Sequence, residues 1–145
     1  MAREAGLQHD LQPLPVTTLG MNWIAVGAAL MALAVGMGAF GAHGLRNQLD
    51  AYSMSVYERA VFYHFVHAVG ILSVAILART SAISTVGQER VGWLLLIGIV
   101  VFSGSLYALA ISGVRMLGAI TPIGGLAFII AWLVLAYEAL RVQRG

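Results

Sequence analysis

The chain has 145 residues, of which 60% are hydrophobic and 10% charged, and its mean hydropathy is +0.89. A soluble domain is nearer 45–50% apolar and about 25% charged, and one of this size leaves roughly a third of its chain surface wet, so the composition excludes most soluble classes and points to a membrane protein. Cysteine and lysine are both absent and the net charge is +2, which excludes disulfides, thiolate metal sites, cysteine nucleophiles and Schiff-base chemistry.

Residues 1–20 are mixed and polar, with Pro13 and Pro15, and are expected to form a flexible tail. A cleaved signal peptide is not expected, since no basic region precedes the first apolar run. Glu4 and Asp10 argue against a mitochondrial transit peptide. Residues 21–141 are expected to form one transmembrane domain. Four stretches, 21–45, 60–78, 91–114 and 116–137, contain no Asp, Glu, Lys or Arg. Each is close to or above the length of about 20 residues that a helix needs to cross the hydrocarbon layer. The predicted helices cover about 21–41, 57–78, 91–112 and 118–140.

Trp23 opens the first helix as an interfacial anchor, and Trp93 does the same for the third. Gly27, Ala34, Gly38 and Gly41 place small residues on one face of the first helix, which permits close approach of a neighbour. The glycine-rich run from Gly38 to Gly44 predicts a helix end that unwinds through left-handed glycines. Residues 80–90 read as a polar turn. Thr121 and Pro122 suit the N-cap and first position of the fourth helix; the alternative is a start near Met116 with a kink at Pro122. Short connections make consecutive helices antiparallel. The predicted fold class is therefore an all-α membrane protein, an up-down-up-down bundle of four transmembrane helices. Arg3, Arg79, Arg90, Arg141 and Arg144 fall on the side of the termini, and Arg46, Arg59 and Arg115 on the other. The excess of arginine predicts a multi-pass protein with both termini in the cytoplasm.

Polar residues inside the spans converge. His43 ends the first helix; Tyr63, His64 and His67 lie in the second; Ser103, Ser105 and Tyr107 in the third; Thr121 opens the fourth. In an antiparallel bundle all eight fall in the half of the membrane opposite the termini, leaving the other half almost wholly apolar. His64 and His67 share a helix face with Tyr57, Ala60 and Ile71. Intramembrane ionisable groups are costly and default to functional candidates, but a neutral histidine also serves as a structural hydrogen-bonding group. On that structural reading His67 bonds to Ser103, Ser105, Tyr107 or Thr121. His43, His64 and His67 together suit zinc or copper by ligand type, yet no carboxylate or thiolate stands among them. No metal and no cofactor is expected. Ser103-Gly104-Ser105 lacks the strand–turn–helix setting and acidic partner of a hydrolase nucleophile, so no catalytic residue is assigned. The glycine run follows a helix rather than a strand, against a phosphate-binding loop.

The same residues carry a resemblance. Gly38-Ala39-Phe40-Gly41-Ala42-His43-Gly44-Leu45, Tyr63-His64-Phe65-Val66-His67-Ala68, Phe102-Ser103-Gly104-Ser105-Leu106-Tyr107 and Thr121-Pro122-Ile123-Gly124-Gly125 resemble the signature blocks of domain-of-unknown-function family 423. These are small four-helix bacterial inner-membrane proteins, similar to a eukaryotic small transmembrane family. The family's second block reads Tyr-Gln before its histidine. His64 takes the Gln position and His67 matches the family histidine, which weakens a family-wide metal pair.

The resemblance implies the fold and the inner membrane but no activity. The leading expectation is a non-enzymatic accessory or assembly partner of a membrane complex. The alternatives are a small-solute or proton carrier, and a metal- or haem-binding redox component using the membrane histidines. Expected partners are the lipid bilayer and other membrane proteins or further copies docked through small-residue helix faces, with no nucleic acid.

Overall fold

A computed structural model describes residues 20–142. The tail read in the sequence lies almost entirely outside the described residues. Four helical spans follow one another, Trp23–Leu45, Ala51–Arg79, Thr85–Ser112 and Arg115–Val142, each long and apolar enough to cross a membrane. No strand occurs among the described residues. The first span is helix α1 (Trp23–Phe40), which runs on into a π-helical turn, Gly41–Leu45. The second is the single helix α2 (Ala51–Arg79). The third is α3 (Thr85–Gly98), a π-helical turn (Ile99–Ser103) and α4 (Gly104–Ser112). The fourth is a 3₁₀ turn (Arg115–Ala119) and α5 (Thr121–Val142).

Side-chain caps set where the spans begin. The Asn22 side chain accepts from the Ala25 amide, Asp50 from Ser53 at 2.7 Å, and Ser84 from Gly87 at 2.9 Å. Each satisfies a donor that the first helical turn leaves free. The Ser53 amide holds the Asp50 carboxyl below its ordinary value of 3.8, so the cap is ionised at neutral pH. These caps move two predicted boundaries. The second helix begins at Ala51 rather than Tyr57, because Asp50 caps an extra turn in which Tyr52 and Ser55 are exposed. The third begins at Thr85, inside the stretch expected to be a turn. At the other end of the third span Gly113 adopts a left-handed φ of 71° and its amide bonds the Leu109 carbonyl at 2.9 Å, the usual αL termination.

The glycine run after α1 does not unwind. Gly41 keeps right-handed helical angles, and Gly113 is the one glycine with positive φ among the described residues. The glycines serve space rather than backbone freedom: a Cβ on Gly41 would lie 2.6 Å from the Tyr57 ring. Tyr57, 1% exposed, donates its hydroxyl to the Met37 carbonyl at 2.8 Å and fastens the end of α1 to α2.

The second and third spans form the centre of the bundle, with α1 packed on α2 and α5 on the third span. The central pair is 44% buried over its most apolar window, the flanking pair 17%. Two apolar clusters fill the interior. One, nearer the termini, gathers Trp23, Ile71, Val74, Leu95, Ile99 and Phe128. The other gathers Leu45, Val56, Tyr57, Ala60, Leu106 and Leu109. On α2 the clusters are separated by residues 61–70, the middle of that helix.

Candidate functional site

Between the two clusters lies a layer of histidines, aromatics and hydroxyls. His64 and His67 are 3% and 5% exposed. At 1.5 Å per residue they stand about 20–24 Å from the start of α2, so the two histidines sit near the middle of their span, while Ser103, Ser105, Tyr107 and Thr121 lie in the halves of the third and fourth spans away from the termini, as expected.

His67 lies flat on Phe128 of α5, with ring centroids 3.4 Å apart and planes 10° from parallel. Its Nδ1–H donates to the Tyr63 carbonyl one turn earlier at 2.7 Å. That bond fixes the Nδ1–H tautomer, since a carbonyl can only accept. The interhelical hydroxyl partners expected for His67 are not the ones it uses. The ring instead takes a carbonyl of its own helix and lays its face on Phe128. Tyr63 stacks on His67 and meets Phe102 at a 40° tilt.

His64 points the other way, toward Tyr107 on α4. Its Nδ1 is 3.4 Å from the Tyr107 hydroxyl, a long bond by protein standards. Tyr107 in turn packs against Tyr57, centroids 5.1 Å apart. His64 Nε2 is buried without a hydrogen-bond partner.

The hydroxyls form a third, separate contact. Ser105 Oγ donates to the Phe102 carbonyl at 2.9 Å and lies 2.9 Å from Thr121 Oγ1. The π-helical turn shifts the backbone register there, and Ser105 takes up the Phe102 carbonyl. With the Ser105 proton so used, Thr121 is the donor, and this bond ties the third span to the start of α5. Ser103, fully buried, has no partner for Oγ.

Six of the eight candidates therefore form three separate contacts rather than one cluster, and Ser103 lies near them unpartnered. His43 is exposed on the π-helical turn after α1 and joins none of them. Among the described residues no three His, Asp or Glu side chains gather as metal ligands. What the layer offers chemically is open hydrogen-bonding capacity at Ser103 Oγ and a weakly engaged His64 ring, whose Nε2 makes no hydrogen bond of good geometry although the Leu30 backbone lies near the ring.

A second polar site lies in the half expected to be greasy. Glu138, 2% exposed, sits inside the bundle near the end of α5. Ser84 Oγ donates to its Oε2 at 3.0 Å, and Arg90 lies 3.6 Å from Oε1. The carboxylate thus faces the N-terminus of α3, where free amides and the helix dipole favour an anion. Gly87 makes the room: a Cβ there would stand 2.8 Å from the carboxyl carbon. A sequence signal existed, because Glu138 lies two heptads from Gly124 and one from Ala131, both inward-facing.

The profile of a protein family of unknown function, DUF423, matches residues 37–125, the stretch that holds the polar layer. The chain belongs to the DUF423 family. Among its relatives, a UPF0382 membrane protein of Staphylococcus saprophyticus is 48% identical over 120 residues, covering 83% of this chain and 98% of that one. A UPF0382 membrane protein of Bacillus subtilis is 47% identical over 120 residues, covering 82% and 96%. One from Staphylococcus aureus is 42% identical over 113 residues, covering 78% and 90%. No solved structure matches the chain. This DUF423 protein is a membrane protein.

The Glu138 contacts yield a test. Arg90 is 61% exposed, so its pairing should contribute no more than about 1 kcal/mol. Ser84 and the α3 N-terminus carry the rest. Glu138→Ala should lower unfolding free energy in detergent by about 1–3 kcal/mol, and Arg90→Ala by clearly less. Denaturation by sodium dodecyl sulfate titrated into maltoside micelles measures both. Equal losses would mean that the exposed arginine, not the helix terminus, holds the carboxylate.

Proposed function

We propose that this protein is a non-enzymatic assembly partner of a larger complex in the bacterial inner membrane, joined through the outer face of α1. One observation carries the reading. The small residues Gly27, Ala34 and Gly41 are buried, and Gly27 and Gly41 are pressed against Leu72 and Tyr57, so that row is spent on α2. A second row, Ala25, Ala29, Ala32, Gly36 and Ala39, runs along the outward side of the same helix, every member exposed. Its positions alternate by four and three, the seam of two helices wound about each other. Small residues give little contact to acyl chains but let a second helix come close. Among the described residues this second row is left uncovered.

A Cβ on Gly36 has no atom of the described residues within 4 Å, and position 36 is exposed. Gly36→Leu and Ala32→Leu should therefore leave helicity and thermal midpoint unchanged. The wild type should run as a higher-mass species on native gels of mildly solubilised membranes, and both variants should abolish it. A species that survives both variants would overturn the reading. So would a disulfide between two copies of Gly36→Cys, which would make the row a homodimer seam.

The arginine excess supports an orientation with both termini in the cytoplasm. The chain contains no cysteine, so single substitutions report cleanly. A membrane-impermeant thiol reagent on intact cells should label Asn47→Cys and spare Thr85→Cys. The reverse pattern would invert the topology.

A further inference from the structure

We infer that the furrow between the end of α1 and the start of α2 is a binding site for a zwitterionic phospholipid with a primary ammonium, the ethanolamine headgroup. The furrow has a volume of about 400 Å³, within the range of small-molecule sites. It exists because Gly38 and Gly41 present no side chains at the α1–α2 seam. Gly41 is closed off below by the Tyr57 ring, while a Cβ on Gly38 would only touch Val61 at 3.5 Å. Ala42, Met54 and Val61 complete an apolar trough. Tyr57 adds no free polarity to it, because its hydroxyl is committed to the Met37 carbonyl.

The rim is different in kind. Arg46 and Glu58 both line the furrow and both are exposed. Neither forms an ion pair among the described residues, where the one salt bridge is Arg90–Glu138. Arg46 follows the last turn of the first span, and Glu58 stands about 10 Å along α2 from its start. Both therefore lie at the level where headgroups meet acyl chains, with the trough running inward from them.

One cation and one anion over an apolar trough complement a ligand with one phosphate, one ammonium and an acyl chain. The Arg46 guanidinium offers paired donors to phosphate oxygens. The Glu58 carboxylate accepts from an ammonium that carries N–H donors. A phosphatidylglycerol headgroup satisfies Arg46 but leaves Glu58 facing a net negative lipid. A choline headgroup balances charge but has no N–H to give. The ethanolamine headgroup satisfies both.

Native mass spectrometry of the full chain, given an equimolar mixture of ethanolamine, glycerol and choline phospholipids with matched acyl chains, tests the assignment. The wild type should retain one ethanolamine lipid in preference to either competitor. Glu58→Gln should cut that retention roughly tenfold and bring it to the level of the choline lipid. Arg46→Gln should weaken all three lipids. Ala42→Phe, at an exposed position of the trough, should displace the lipid while Ile129→Phe on the outer face of α5 does not. Helicity and thermal midpoint of each variant establish that it is folded. Equal retention of the three lipids, a preference for the glycerol lipid, a preference that survives Glu58→Gln, or binding that ignores Ala42→Phe would each overturn the assignment.

Discussion

The interior of this bundle depends on how closely α5 can approach the π-helical turn of the third span. Gly124 makes that approach possible, because the place of its missing Cβ is occupied by the backbone nitrogen and Cα of Phe102. Backbone cannot move aside as a side-chain tip can. Once α5 is seated there, Phe128 one turn further on reaches between Gly98 and His67, with its ring in the space that a Cβ on Gly98 would take. Thr121 one turn earlier reaches Ser105. A hydrophobic effect cannot drive helices together in lipid, so contacts of this kind, dispersion and a few hydrogen bonds, must do it. The π-helical turn and Gly124 act together: the turn shifts the backbone, Ser105 satisfies the Phe102 carbonyl, and glycine accepts the displaced backbone.

The same geometry explains why the polar layer is divided. With Phe128 over His67, the imidazole is screened from the hydroxyls of the third span and turns to the carbonyl one turn back. His64, a turn earlier on α2, escapes Phe128 and faces Tyr107 instead. A lipid-facing surface could not carry these groups, since unpaired polar atoms in hydrocarbon cost several kcal/mol each. Their burial in the central pair of spans, the better-buried pair, is the arrangement that membrane solvation requires. The closed interior and the open outer face of α1 then divide the molecule's roles. The interior holds the fold, and the exposed small-residue row on α1 is the face that we propose another helix covers.

The four spans were legible because stretches without charge and near membrane length have few other readings. The family blocks were legible for a related reason: Gly41 and Gly124, with the aromatics Tyr63 and Phe102, mark the places where helices touch. What did not read through were features that depend on tertiary placement. Asp50 and Ser84 start their helices earlier than hydropathy suggests, because a cap is a local hydrogen bond and leaves no trace in an apolar count. The glycines of residues 38–44 carry the same letters whether they bend a chain or make room for Tyr57. His67 paired with a carbonyl present at every position, a partner that residue type alone does not reveal. Glu138 was visible as a charge but not as a buried one, although its spacing from Gly124 and Ala131 placed it on the inward face.

The seating of α5 is tested most directly by two adjacent glycines. A Cβ on Gly124 meets Phe102 backbone, whereas one on Gly125 meets only the Phe102 ring at an ordinary 3.6 Å. Alanine otherwise favours a helix over glycine by up to about 1 kcal/mol. The thermal midpoint of each variant in the same detergent separates packing from propensity. Gly124→Ala should be strongly destabilised, and Gly125→Ala should be neutral or slightly stabilised. Equal behaviour of the two variants, or a stable Gly124→Ala, would contradict the close approach on which the interior rests.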